Sequence, residues 1–180
     1  MTTSAATPSP EASGASGSSP ETSATVKGFT PRKLYRILAI AEAVTWTLLI
    51  TGLIVKATAG IDATLLTTIG GVHGFVFISY GATAILVGIN QRWHFGVGLL
   101  AVVTAIVPYA TIPFEIVQER RGALAGAWRL TPSDDPRDHH WFDRFVRWFL
   151  NRPALLVLAI VVAIVLIFVI LLTAGPPGGK

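Results

Sequence analysis

The sequence predicts an all-α, polytopic membrane protein: a bundle of three transmembrane helices extended by an amphipathic interfacial helix and a fourth transmembrane helix. Of its 180 residues, 52% are hydrophobic and only 13% charged, too little polar surface to cover a water-soluble globule of that size. The apolar residues gather in four runs, each near the roughly 20 residues that a helix needs to cross about 30 Å of hydrocarbon. Apart from Glu42, charged residues lie at the ends of those runs rather than within them, as the cost of charge in hydrocarbon demands.

Residues 1–31 are mostly Ser, Thr, Ala, Pro and Gly, a composition that cannot bury enough apolar surface to offset its ordering entropy and reads as a disordered tail. It lacks the basic start and the apolar stretch of about 7–15 residues of a signal peptide, so the tail is expected to be retained. The first span, 34–55, opens with Arg32, Lys33 and Arg36, closes at Lys56 and holds one acid, Glu42. A short connection with Gly60 and Asp62 makes the first two spans a helical hairpin. The second span, 64–89, carries His73 and a glycine pattern. Gly70 and Gly74 make a GxxxG step, and Gly74, Gly81 and Gly88 recur every seven residues along one side, the pattern of a closely fitted partner helix.

The third span, 95–114, contains Pro108 and Pro113. Pro108 should kink it by removing a hydrogen bond and crowding the preceding turn, and Glu115 marks its end. Residues 121–152 form the extramembrane piece. Within it, 139–151 separates at 100° per residue into an apolar face with Trp141, Phe142, Phe145, Trp148 and Phe149 and a polar face with Asp143, Arg144 and Arg147, a helix that should lie in the membrane surface. The final segment, 153–180, holds the fourth span, an unbroken apolar run over 154–174. Four crossings would put Lys27, Arg32, Lys33, Arg36, Arg92 and Lys180 on one side, against Lys56 and seven arginines on the other. That near balance decides little, and the basic start of the first span is what favours a cytoplasmic N-terminus.

Three stretches, one in each of the first three spans, carry a resemblance. They are Arg36-Ile37-Leu38-Ala39-Ile40-Ala41-Glu42-Ala43, Val72-His73-Gly74-Phe75, and Val107-Pro108-Tyr109 with Thr111 and Phe114-Glu115. In that order and spacing, residues 32–120 resemble the bacterial domain-of-unknown-function family 3817. The resemblance implies a three-helix integral membrane domain, largely of Gram-positive bacteria, and hence a multi-pass place in the bacterial cell membrane. It implies no activity and does not extend to the tail, the amphipathic segment or the fourth run.

The chemistry that the residues permit is limited. The chain has no cysteine, which excludes disulfides, thiolate metal sites and cysteine nucleophiles. Its formal charge of +4 suits anionic headgroups, and no nucleic-acid-binding pattern appears. No nucleophile–base pair, phosphate loop or metal motif stands out, so no catalytic residue, cofactor or metal is expected and an enzyme is not the reading. His94, His139 and His140, the last two beside Asp138, read as solvated residues rather than metal ligands. The expected partners are the bilayer and a membrane-protein partner or a second copy of the chain.

Glu42 and His73 are the candidate intramembrane polar pair. Glu42 lies roughly 12 Å into its helix, and in an antiparallel hairpin His73 falls within about 6 Å of it along the axis. Such a pair locks helix packing or, in the sharper alternative, serves a small proton-linked transporter or channel component. The leading expectation is an accessory, structural or regulatory membrane protein.

Overall fold

The computed structural model describes residues 30–60 and 62–174. The tail expected over 1–31 lies outside these, except for Thr30, which caps the first helix, and Pro31, which opens it. Among the described residues the chain is wholly helical: α1 (Pro31–Thr58), α2 (Ala63–Asn90), α3 (Phe95–Thr104), α4 (Thr111–Arg120), a 3₁₀ turn (Pro136–His139), α5 (Trp141–Leu150) and α6 (Pro153–Ala174). Of these, α1, α2 and α6 are long and apolar enough to cross a membrane.

Local chemistry sets the helix starts. The Thr30 hydroxyl accepts from the Lys33 N–H at 3.2 Å, with Pro31 in the first turn, where its missing N–H costs nothing. Asp62 caps α2 in the same way, accepting from the Leu65 N–H at 3.1 Å. Between them Gly60 takes φ +75°, a left-handed conformation that lets the chain reverse without a Cβ clash. The hairpin closes most tightly at Gly52 of α1, where an added Cβ would stand 3.2 Å from Leu66 Cδ1 and 3.4 Å from Ile69 Cδ1.

The glycines of α2 do not serve that contact. A side-chain carbon added at Gly70 or Gly81 would meet nothing within 4 Å, one at Gly88 would meet Trp93 at 3.3 Å, and one at Gly74 would meet Phe168 of α6 at 3.5 Å. The seven-residue stripe therefore fits no single partner helix within the chain.

The third span is not a kinked crossing. α3 stops at Thr104, α4 begins at Thr111, and the second half returns toward the end from which the first set out. Arg36 and Arg32 at the start of α1 bind Glu115 and Glu119 of α4, while Trp93, just before α3, packs its ring 5.7 Å from Tyr35 of α1. Both outer ends of the α3–α4 pair thus stand beside the start of α1. Its apex lies against the middle of α1, where the Trp46 indole donates to the Ala105 carbonyl at 3.2 Å and the Thr47 hydroxyl meets the Tyr109 hydroxyl at 3.3 Å.

Pro108 explains the break. It has no N–H to continue the helix and biases Val107 away from helical geometry, and Tyr109 then takes φ +65°, an uncommon conformation for a bulky residue. Pro113, by contrast, sits in the first turn of α4, where it is tolerated. A ten-residue helix such as α3 is roughly 15 Å long, half the hydrocarbon thickness. The segment over 121–152 consequently returns to the start of α1, and α6 leaves from that end to run back along α2, its Phe168 against Gly71 and Gly74.

With no native cysteine, single introduced cysteines test this arrangement directly. Impermeant thiol reagents should label Ser133→Cys from the same side of a vesicle as Lys33→Cys and from the side opposite Thr58→Cys; a four-crossing chain would group Ser133 with Thr58. Packing at the hairpin predicts that Gly52→Leu lowers stability by about 1–3 kcal/mol through overpacking. Gly81→Leu should stay within about 0.5 kcal/mol of the parent. Thermal unfolding in detergent reads both.

Candidate functional site

Tyr35, Ala39, Glu42 and Thr45 are three or four residues apart and share the buried face of α1. Around this face the interior is polar. The Tyr35 and Tyr80 hydroxyls are 2.6 Å apart, Tyr80 reaches the Thr104 hydroxyl at 3.3 Å, and Thr104 donates to the Ala101 carbonyl at 2.6 Å. Tyr35, Trp93 and Phe114 pack their rings together below this chain, at centroid separations of 5.7 to 6.5 Å.

Glu42 is fully buried, and among the described residues neither carboxylate oxygen has a hydrogen-bond partner. The expected bond to His73 does not form. The His73 Nδ1 instead meets the Thr45 hydroxyl at 3.1 Å, and its ring packs 4.6 Å from Trp46. The axial offset is the reason: Thr45, one turn beyond Glu42, stands at the level of His73 and takes the bond.

Two ionic clusters at the end of the bundle escaped the sequence reading. In the first, Arg36 Nε donates to Glu115 at 2.9 Å, and Arg36 and Arg32 both bind Glu119. Glu115, expected to mark the end of the third span, is buried there.

The second is built on Asp138, buried at 2% exposure. Its carboxylate accepts from the Ser133 N–H at 2.8 Å and the Ser133 hydroxyl at 2.5 Å, from Arg92 at 2.5 Å and from Arg129 at 3.1 Å, and it forms an ion pair with Arg147 at 3.0 Å, whose guanidinium also donates to the Asp138 backbone carbonyl. Arg92 also binds Asp135, and Arg129 reaches Asp143 at 3.3 Å. Arg129 in addition donates to the carbonyls of Asn90 at 2.6 Å and Ile89 at 2.9 Å, satisfying the open, negative end of α2. Asn90 fixes the same loop by donating to the Ala127 carbonyl at 3.0 Å and accepting from the Arg129 N–H at 3.0 Å.

These contacts bring Arg147 of the amphipathic segment into the cluster and leave Trp141, Phe142, Phe145 and Trp148 exposed on the other side of α5, with Phe149 half-buried. Arg144 and the exposed His139 and His140 take no part in it. The single signal that sequence offered for this site was the density of Arg and Asp between 120 and 152.

Residues 32–120 match the family described as Domain of unknown function (DUF3817). This stretch is a DUF3817 domain. Over 130 residues, 72% of this chain, the sequence is 32% identical to a Streptomyces coelicolor protein named "Putative membrane protein SCO5905". The chain spans 14% of the length of that curated relative. No solved structure matches it. The DUF3817 domain here comprises α1 to α4, so the third of the three helices that the resemblance implied is a pair of half-length helices.

Asp138 lies beyond the DUF3817 domain yet holds its Arg92. Ser133, through its hydroxyl and its N–H, outweighs burial and, with the Arg92 guanidinium, keeps the Asp138 carboxyl well below the usual carboxylate range. A carboxyl lowered on folding contributes stability above its unfolded value of about 3.9 and loses it as pH falls through the folded value. The 121–152 segment should therefore resist limited proteolysis equally from about pH 5 to pH 8 and loosen only in stronger acid. Asp138→Ala, which removes the carboxylate shared by Arg92, Arg129 and Arg147 and leaves Arg147 without a carboxylate partner, should cost about 3–5 kcal/mol and expose the segment to protease at neutral pH.

Proposed function

We propose that the chain is a non-enzymatic accessory module of the bacterial cytoplasmic membrane, which stabilises or regulates a partner membrane protein by helix packing. The observation that carries this reading is the relative in Streptomyces coelicolor, in which the matched stretch makes up only 14% of a far longer chain. A unit that occurs within a larger membrane protein is suited to pack against other membrane segments. Gly70 and Gly81 support the reading, because both leave open space on α2 where a neighbouring helix could approach.

The arginine-rich end is assigned to the cytoplasm. Arg32, Lys33 and Arg36 open α1, Arg92 stands in the α2–α3 turn, and all seven arginines between 120 and 152 gather at that same end. Lys56 is the one basic residue at the opposite end among the described residues. This replaces the near balance of a four-crossing chain with a strong positive-inside asymmetry, and it keeps the N-terminal side cytoplasmic. α5 then lies in the inner membrane surface, its exposed aromatic residues toward the acyl chains.

A second reading, a proton-linked carrier or channel component, is favoured by Glu42. A buried carboxyl without a partner, beside a broken helix in mid-bundle, is the kind of group at which a proton can be taken up and released.

Cross-linking in native membranes followed by purification in mild detergent should recover the chain with a partner or a second copy, and recovery of a lone monomer would sink the accessory reading. Gly81→Leu should reduce that complex about tenfold, a loss of 1.4 kcal/mol in association, while leaving the unfolding of the chain itself unchanged. Glu42→Gln should alter assembly or abundance without abolishing a flux. If reconstituted vesicles instead show a pH-driven flux that Glu42→Gln removes, the carrier reading replaces it.

A further inference from the structure

A groove of about 620 Å³ opens between the last turns of α2, the first turns of α3, and α5. Its walls are apolar, built by Ile85, Gly88, Gly98, Leu99, Val102 and Phe142, and the charged side chains that reach it, Arg92 and Asp143, belong to the arginine cluster at the end of the bundle. A carbon added at Gly98 would meet nothing within 4 Å, so the groove is open above this residue. A helix, about 10–12 Å across with its side chains, would fill such a space with little more than one turn. An extended hydrocarbon chain suits it better, and its volume lies within the ordinary range of small-molecule sites.

The charge around the groove indicates which amphiphile brings that chain. At this end, the basic residues outnumber Glu115, Glu119, Asp134, Asp135, Asp138 and Asp143 by five. Arg92, Arg129 and Arg147 are bound within the Asp138 cluster, and Arg32 and Arg36 by Glu115 and Glu119. Arg144, which follows the groove residue Asp143 on α5, has no carboxylate partner among the described residues, nor has Arg152, which lies over the Trp148 ring at 4.3 Å. Cations left uncompensated at a membrane surface attract anionic headgroups.

We propose that this groove is a lipid site, which seats one acyl chain of an anionic phospholipid while the phosphate rests at the basic end of the bundle, by Arg144, the neighbour in sequence of the groove residue Asp143. The bound lipid fills the space between α5 and the DUF3817 domain and so fixes the amphipathic helix against α2 and α3. The proposal does not depend on the partner reading.

The test uses the full chain reconstituted in bilayers of equal phosphatidylglycerol and phosphatidylcholine, extracted in mild detergent and weighed by native mass spectrometry. One retained lipid per chain is expected, with phosphatidylglycerol favoured about tenfold, equivalent to 1.4 kcal/mol. Gly98→Phe fills the groove and should lose the lipid. Gly96→Phe, on the same helix, also in open space but outside the groove, should keep it. Arg144→Gln should retain a lipid and lose the headgroup preference. Equal retention by Gly98→Phe and Gly96→Phe, with both variants unfolding at the parent's temperature, overturns the site. Retention without headgroup preference in the parent, or a second chain in place of the lipid, overturns the assignment of its occupant.

Discussion

The placement of the Asp138 carboxylate is what the rest of the architecture depends on. A buried carboxylate is tolerated only when opposite charge and hydrogen bonds compensate its lost hydration, and Asp138 receives both from Ser133 and from three arginines. Those arginines come from the α2–α3 turn, the loop after α4, and α5. Their common partner therefore forces three distant parts of the chain to one end of the bundle. Arg129 adds a second duty by closing the carbonyl end of α2. Once these residues are together, α4 must finish beside the start of α1, and the Arg36–Glu115 contact completes that condition from the other side.

The helical class and most helix limits were legible in the sequence because burial in lipid writes itself into runs of apolar residues. The runs read as 34–55, 64–89 and 154–174 became α1, α2 and α6 with ends shifted by a few residues, where Thr30 and Asp62 supply caps beyond the apolar stretch. The reversal within 95–114 was not legible. Twenty apolar residues fit one crossing as well as two half-length helices, and Pro108 marks an interruption without stating its angle. The return of α4 is held by contacts remote in sequence, the Asp138 cluster and the pairing of Arg32 and Arg36 with Glu119 and Glu115, which no local pattern connects.

The same limit applies to the candidate site. Glu42 was identifiable as an unusual acid in an apolar run, and it is indeed enclosed. Its pairing with His73 failed on one helical turn, the interval by which Thr45 comes closer. Periodicity located the glycines of α2 but not their neighbours; the contact that closes the hairpin is at Gly52, in a helix without a glycine pattern. Asp138 was visible only as one acid among many charges, since its importance lies in convergence rather than in spacing.

The doubling back of α3 and α4 also bears on the parity of the fold. α1 and α2 together return the chain to the side from which it came, and the two half-helices leave that balance unchanged. The DUF3817 domain is thus an even insertion: a longer membrane protein can carry it without inverting any segment downstream. Adding α6 makes the tally odd, so polypeptide joined beyond it would emerge in the opposite compartment.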